Sequence, residues 1–186
     1  MITCEEIYGL HTSKTPESAI HAAYRDIPLD SRNGMRKNAT PLHMACTFAD
    51  EEAVRILLER GADVNVKNDD GDTPLCVSAK HNYCRQEAAF AEIAGLLLSK
   101  GARILRSGKN TTALIEAVRN RHFLMADALL MSGNRIDSAD SNGDNVLHAI
   151  CQSAGDIAYD IKRTEERIAD FSERWYPERD KRETGE

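Results

Sequence analysis

The sequence predicts an all-α solenoid, in which pairs of helices stack in a row and exposed turns connect each pair to the next. A short motif that opens with a hydroxyl or amide side chain and reaches leucine two positions later occurs four times. Self-similarity at a period of about 20–50 residues is the sequence signature of repeat architectures. The copies begin 33, 39 and 33 residues apart, at Thr40, Thr73, Thr112 and Asn145.

Apolar runs that lead to a glycine follow the first three copies and support the same fold. Each run predicts a helix with one face buried against its neighbours. The glycine suits the left-handed residue that ends many helices, because it adopts a positive φ without a Cβ clash. The runs are residues 54–58 before Gly61, residues 93–98 before Gly101 and residues 126–130 before Gly133.

The first copy carries the most specific pattern. Residues 40–45 read Thr-Pro-Leu-His-Met-Ala, which resembles the T-P-L-H-x-A motif that opens an ankyrin repeat. The chain from about residue 38 to 155 resembles an ankyrin-repeat protein. The resemblance implies helix-turn-helix units, short β-hairpin fingers between them and helical caps at both ends. It also implies a non-catalytic module that binds another protein, without indicating which one.

We expect a single ankyrin-repeat domain over residues 1–186. Its N-terminal part is either a capping helix or a degenerate repeat, because a solenoid must cover the apolar face of its first full repeat. The expected boundaries are 1–37 for this part, 38–70, 71–109 and 110–142 for repeats 1 to 3, 143–176 for a degenerate repeat 4 with a C-terminal capping helix, and 177–186 for a charged tail.

The second repeat contains seven additional residues, near residues 80–91. Good helix formers from Gln86 to Glu92 predict an outer helix lengthened by about two turns, after a bulge at residues 81–85. Insertions in repeat proteins often lie on the binding face, but a surface insertion also costs little stability. A binding loop and a neutral insertion are therefore both open.

The segment after Gly155 has an apolar stripe at helical spacing. We expect it to form a helix that packs on the last repeat as a cap, and the alternative is a helix exposed for a partner or for a dimer. The stripe comprises Ile157, Ile161, Ile168, Phe171 and Trp175.

The composition favours a protein as the partner. The net charge of -6 argues against nucleic acid, because a phosphate backbone requires a basic stripe. No apolar run approaches the roughly 18 residues of a membrane-spanning helix. We therefore expect no nucleic acid and no membrane as partner, and a monomer unless the C-terminal helix forms a dimer.

The cysteines and the N-terminus indicate in which cellular compartment we expect the protein. Five cysteines, an odd number without the spacing of a disulfide framework, favour a reducing environment such as the cytoplasm. Residues 1–6 lack the basic flank and apolar core of a signal peptide, although secretion into a host cell by a signal-independent route stays compatible. Cys46 and Cys151 share one repeat position, at which cysteine acts as a compact core residue.

Three His-x-x-Cys pairs raise the question of metal or nucleophile chemistry. His43 and His148 share a repeat position, and the resemblance implies that this histidine fixes the turn through hydrogen bonds with the signature Thr40. His81 and Cys84 lie in the insertion, where a metal-dependent or cysteine-dependent activity is a remote alternative. We expect no enzyme activity, no cofactor and no metal.

The resemblance implies partner binding through finger tips and through the concave face of the inner helices. Phe48 is either a binding hot spot or a cap on the inner-helix layer, and both interpretations are open. The finger tips alternate in charge, which is either recognition information or ordinary surface polarity. The candidate residues are Met44, Thr47, Phe48, Lys67, Asp69, Asp70, Lys80, His81, Arg106, Lys109, Arg119, Asn120 and Gln152.

Two further expectations follow from the resemblance. A bacterial or host-directed effector or regulatory protein, whose repeats dock a target, is the alternative to a plain binding module. Asn65, eight residues after Leu57, resembles a site that is hydroxylated on ankyrin repeats in animal cells, although the same asparagine is common for hairpin structure alone.

Overall fold

The computed structural model describes residues 2–80, 87–104, 107, 111–133, 139–140 and 142–154, with side chains as far as residue 151. These residues form nine α-helices and one turn of 3-10 helix at Gly34–Arg36. The helices are α1 (Cys4–Thr12), α2 (Glu17–Asp26), α3 (Pro41–Thr47), α4 (Glu51–Glu59), α5 (Pro74–Lys80), α6 (Glu87–Ser99), α7 (Ala113–Arg119), α8 (Phe123–Met131) and α9 (Val146–Ala154).

The helices stack in two layers, which confirms the predicted solenoid. In the inner layer α1, α3, α5, α7 and α9 pack in that order, each against the next. In the outer layer α2, α4, α6 and α8 do the same. One continuous apolar core runs between the layers. It is built largely from small and aliphatic side chains, as the low aromatic content of 5% requires.

The N-terminal segment forms a helix pair that imitates a repeat. Thr3 caps α1, and the Glu6 carboxylate accepts a hydrogen bond from the Thr3 backbone N–H at 2.8 Å, which completes a capping box. The C-terminal end of α2 is held by Arg60, whose guanidinium donates to the carbonyls of Tyr24 at 2.6 Å and Ile27 at 2.7 Å. The first full repeat is therefore covered on its N-terminal side by a pair of helices.

The cysteines divide between core and surface. Cys4, Cys46 and Cys76 are buried thiols, and Cys46 is 0% exposed as the core expectation requires. Cys151 is exposed, so its expected place in the core is wrong for the described residues. Cys151 is exposed because it lies on α9, the last inner helix that the structure describes. None of the described helices follows α9 to cover this position.

The fingers are turns rather than extended hairpins in the part of the chain that the structure describes. Each of the second, third and fourth is closed by one backbone hydrogen bond between residues four apart, as in Asn68 N–H to the Asp72 carbonyl at 3.0 Å. The first finger is longer and has an isolated antiparallel bridge between Asn33 and Ala39. Loops of this length leave no room for a strand ladder, so over the described residues the expected β-hairpins reduce to turns.

Over the described residues α6 has 13 residues and α4 has 9, a difference of about one turn, and the residues just before α6, 81–86, lie outside the described residues. The first residue of α6, Glu87, also has a capping role in the next repeat. The Glu87 carboxylate accepts a hydrogen bond from the Leu124 N–H at 2.9 Å, at the N-terminus of α8. The expected bulge at residues 81–85 lies outside the described residues.

Candidate partner-binding surface

His43 joins two repeats through both nitrogens of its ring. Its Nδ1 accepts from the Thr40 N–H at 3.2 Å and lies 2.8 Å from the Thr40 hydroxyl. Its Nε2 lies 3.0 Å from the Asp72 carbonyl of the next repeat and donates to it, because Nδ1 is the acceptor in this network. The predicted bond to the signature threonine is confirmed, and the same ring fixes the base of the following finger.

Burial keeps His43 uncharged. The side chain is 0% exposed, and desolvation lowers its pKa from 6.5 to about 4 although the Asp72 carbonyl opposes the shift. His148, at the same repeat position, pairs its Nδ1 with the Asn145 side-chain oxygen at 2.9 Å but is exposed. The effect of burial on a histidine can therefore be compared at the same repeat position of one chain, with His43 buried and His148 exposed.

The two candidate cations on the inner helices are held by carboxylates. Lys80 Nζ lies 2.6 Å from both carboxylate oxygens of Asp72. Arg119 contacts Asp140 at 2.9 Å and Asp144 at 3.3 Å. Both cations are partly buried, with side chains 22% and 26% exposed. Their charged ends therefore have defined positions at the bases of the fingers.

Three other inner-helix candidates have structural contacts. The Thr47 hydroxyl donates to the His43 carbonyl at 2.9 Å. The Asn120 amide donates to the Ala79 and Glu116 carbonyls, both at 2.9 Å, and so connects α7 to α5. The expected exposure of Met44 is wrong, because Met44 is only 2% exposed. Its repeat position points into the helix layer, where Val77 and Ala149 are also buried.

Phe48 packs under the N-terminal helix. Its ring stacks on His11, with centroids 4.1 Å apart and planes within 7° of parallel, and it lies 5.5 Å from the Tyr8 ring. Burial lowers the pKa of His11, which favours the neutral ring in this stack. These contacts favour the interpretation of Phe48 as a cap on the inner-helix layer, and its binding role stays a prediction.

The oppositely charged first and second fingers contact each other. Asn38 Nδ2 donates to the Asp69 carboxylate, and the Asp69 N–H donates to the Lys37 carbonyl, both at 2.8 Å. Lys37 Nζ and the Asp70 carboxylate are 3.9 Å apart. The first two fingers are therefore joined mainly by hydrogen bonds, and the exposed Lys37–Asp70 pair adds little to them. Lys67, Asp69 and Asp70 still expose their side chains at the tip.

Met35 is a surface residue that the sequence analysis did not single out. Its side chain is 86% exposed at the tip of the first finger, beside Arg36 and Lys37. Methionine is among the residue types that are enriched in protein interfaces relative to the rest of the surface. The sequence alone could have indicated Met35, because it is the one large apolar residue of the segment 32–37.

Several candidates lie outside the described residues. His81, Cys84, Arg106 and Lys109 belong to gaps in the description, as do the side chain of Gln152 and the predicted helix after Gly155. Over the residues that are described, no group of three histidine, cysteine, aspartate or glutamate side chains is placed to hold a metal ion. None of the described helices has the length and apolar character needed to cross a membrane.

Asn65 connects the second and third fingers. Its Nδ2 donates to the Gly101 carbonyl at 3.1 Å, and its Oδ1 accepts from the Arg103 N–H at 2.7 Å. The amide thus supplies one donor and one acceptor to the next repeat. Hairpin structure is sufficient to explain an asparagine at this position.

Replacing Asn65 with aspartate is expected to reduce the free energy of unfolding by about 1 kcal/mol, because the carboxylate keeps the acceptor but loses the donor to Gly101. Urea denaturation followed by circular dichroism measures the loss. Asn142→Asp, at an exposed position of the fourth finger with the same change of charge, is the matched control. Equal losses in the two variants would contradict the role of the Asn65 amide.

The described residues define a class of protein: a solenoid of helix pairs whose finger tips and inner-helix ends present polar side chains. The family profile described as "Ankyrin repeats (3 copies)" matches residues 14–106, half of the chain. The chain belongs to the ankyrin-repeat family. Repeats of this family generally serve as protein-protein interaction modules and are typically not catalytic.

Similar proteins come from animals and fungi. Mouse Rabankyrin-5 is 30% identical over 122 residues, which cover 64% of this chain and 10% of that protein. The mouse B-cell lymphoma 3 protein homolog is 31% identical over 122 residues, covering 61% of this chain and 25% of that protein. A fission-yeast ankyrin repeat-containing protein is 44% identical over 41 residues, 22% of this chain and 20% of that protein. The chain therefore spans a quarter or less of these relatives.

Proposed function

We propose that this chain is a non-catalytic module that binds one protein partner through its finger tips and the adjoining ends of its inner helices. The observation that supports this most is the fixed orientation of Lys80 and Arg119, each held by a carboxylate at the base of a finger. Binding is less costly when interface side chains are already ordered, because little rotamer entropy is then lost. The parts of the Lys80 and Arg119 side chains that stay exposed present two oriented cations to a partner.

The fingers supply the second part of the proposed surface. The first finger presents Met35 beside Arg36 and Lys37, and the second presents Asp69 and Asp70. An apolar contact surrounded by charges of both signs suits a folded protein surface with complementary charges. Arg106 and Lys109 extend the same surface by sequence alone.

The test is an affinity capture from source-cell lysate with two variants. Met35→Ala combined with Asp69→Ala removes finger-tip contacts, and Glu52→Ala combined with Glu92→Ala changes exposed side chains of the outer helices. We expect the finger variant to lose a protein that wild type and the outer-helix variant both capture. Binding of that protein, once purified, is then measured by calorimetry with all three chains.

Two outcomes would redirect the proposal. Equal capture by the finger variant and the wild type would overturn the assignment of the surface to the fingers. Turnover of a captured protein by the wild-type chain would overturn the non-catalytic assignment and direct attention to His81 and Cys84. Repeating the capture with host-cell lysate tests the effector alternative, which uses the same surface on a foreign partner.

A reducing compartment such as the cytoplasm is part of this proposal. It is supported by the three buried thiols of Cys4, Cys46 and Cys76, which lie in the helix layers as free cysteines. A thiol in such a core acts as a compact apolar group, and oxidation would add polar atoms that the core cannot accommodate.

A further inference from the structure

Asparagine precedes glycine at two places in this chain, at Asn33–Gly34 in the first finger and at Asn142–Gly143 in the fourth. Asparagine is a thermolabile residue type, and its side-chain amide is lost most readily before glycine, because glycine has no Cβ to shield the backbone nitrogen that attacks the amide. The sequence alone does not distinguish the two sites. The fold gives them different surroundings, and the reaction depends on these surroundings.

The first site is buried, and its reacting groups are bound. Asn33 is only 1% exposed, and its Nδ2 donates to the Cys4 carbonyl at 3.3 Å. The Gly34 N–H donates to the Glu5 carboxylate at 3.1 Å. The Asn33 N–H donates to the Ala39 carbonyl at 2.9 Å, at the antiparallel bridge. The amide and the nitrogen that would attack it are therefore both held by α1, and a reaction here requires the first finger to separate from α1.

The second site is exposed, and its contacts lie within one turn. Asn142 and Gly143 both face solvent. The Gly143 N–H donates to the Asp140 carbonyl at 3.2 Å, and the Asn142 N–H donates to the Asp140 carboxylate at 2.8 Å. Loss of these two bonds separates no helix from its neighbour, and exposed turns open at little cost in free energy. The Gly143 nitrogen can therefore reach the side-chain carbonyl carbon of Asn142 without the unfolding of a repeat.

We propose that Asn142 is a site of spontaneous modification, at which the side-chain amide is lost and the fourth finger gains a carboxylate, whereas the fold protects Asn33. The proposal is independent of the proposed binding function, because the reaction needs only water and the chain itself.

The reaction proceeds in two steps. The Gly143 nitrogen attacks the side-chain carbonyl carbon of Asn142 and forms a C–N bond, and the bond from that carbon to the NH2 group breaks. The NH2 group leaves as ammonia with the proton of the Gly143 nitrogen. Water then opens the five-membered imide that results. Addition of water at the side-chain carbonyl gives aspartate, and addition at the backbone carbonyl gives isoaspartate, in which the chain continues through the side chain.

Either product adds a negative charge to a finger that already has two carboxylates near its base. Asp140 and Asp144 both contact Arg119, at 2.9 and 3.3 Å. A third carboxylate at residue 142 therefore lies beside a cation whose charge two carboxylates already share. The fourth finger of an aged chain is more acidic than that of a newly made one.

The test is peptide mapping of the purified chain after incubation at mildly alkaline pH. Digestion after lysine places Asn33 in the peptide 15–37 and Asn142 in the peptide 110–162, and tandem mass spectrometry measures the amide lost at each site. We expect Asn142 to react faster than Asn33 by at least about tenfold, since the reaction at Asn33 requires several hydrogen bonds to break first.

Anion-exchange chromatography of the intact chain provides a second measurement with two matched variants. Asn142→Asp marks the elution position of a chain with the additional carboxylate. In Asn142→Gln the amide is retained, but its longer side chain cannot form the five-membered imide. We expect the wild-type chain to develop the acidic species during incubation and Asn142→Gln not to develop it.

The same incubation in concentrated urea separates the effect of the fold from that of the sequence. In urea the two sites should react at similar rates, because glycine follows both. Three results would overturn the proposal. They are an unmodified Asn142 in the folded chain, an Asn33 that reacts there as fast as Asn142, and a difference between the sites in urea as large as that in the folded chain.

Discussion

Acidification from pH 7 to pH 4 is expected to remove about 3 kcal/mol of unfolding free energy through His43 alone. The pKa of this buried histidine is lowered from 6.5 to about 4. Between these values the unfolded chain binds a proton that the folded chain does not. The stabilising contribution is therefore complete above pH 6.5 and is lost progressively as the pH falls toward 4.

The measurement is urea denaturation between pH 7.5 and about 4.5, above the range in which most carboxylates titrate. His43→Leu should be less stable than wild type at neutral pH, because the Thr40 and Asp72 groups lose their partner, but its stability should depend less on pH. His148→Leu is the matched control at the same repeat position, exposed to solvent. It should keep the wild-type pH dependence.

His11 adds to the same effect, since burial lowers its pKa as well. It lies 3.0 Å from the Tyr24 hydroxyl and 3.9 Å from the Asp50 carboxylate. The His43→Leu chain should therefore retain a smaller acid sensitivity from the N-terminal helix pair. An acid response in His43→Leu as large as that of wild type would contradict the assignment to His43.

Replacing Phe90 with alanine is expected to cost about 3–5 kcal/mol of unfolding free energy, the usual loss for a buried aromatic truncated to alanine. Phe90 is 0% exposed in α6, and its ring lies 4.8 Å from that of His122 in the next repeat. The deletion leaves a cavity between the second and third repeats. Because each repeat contacts only its neighbours, it weakens the middle of the stack.

Thermal and urea denaturation of Phe90→Ala measure this loss, with Met35→Ala as the control at an exposed apolar position. The control should change stability by less than about 0.5 kcal/mol. A Phe90→Ala chain as stable as Met35→Ala would mean that α6 is not part of the cooperative core.

The repeat architecture was predictable because it depends on local patterns. The Thr40 motif, the apolar runs and the closing glycines each impose a structure within a few residues, and the helix pairs follow from them. The N-terminal pair was only partly predictable, since Glu6 performs the capping role that His43 performs in the first repeat. A carboxylate in that role has no resemblance to the family motif.

The surface was less predictable because it depends on contacts between repeats. Whether Lys80 and Arg119 are free or paired is decided by Asp72 and Asp140 across a turn. The burial of Met44 depends on how closely neighbouring inner helices approach. The position of a residue within its own repeat determines which helix face it occupies. Whether that face is buried or exposed depends on the side chains of the adjacent repeat.

The pairing of fingers has a consequence for how such a chain changes in evolution. If one unit of a repeat array is lost, the fingers on either side of it become neighbours. Loss of the unit that carries Asp69 and Asp70 would bring the basic first finger, with Lys37, next to a third finger that carries Arg106 and Lys109. Like charges would then replace the contacts between Asn38, Lys37 and the acidic finger. The units of this array are therefore not equivalent, because each finger is matched to the finger beside it.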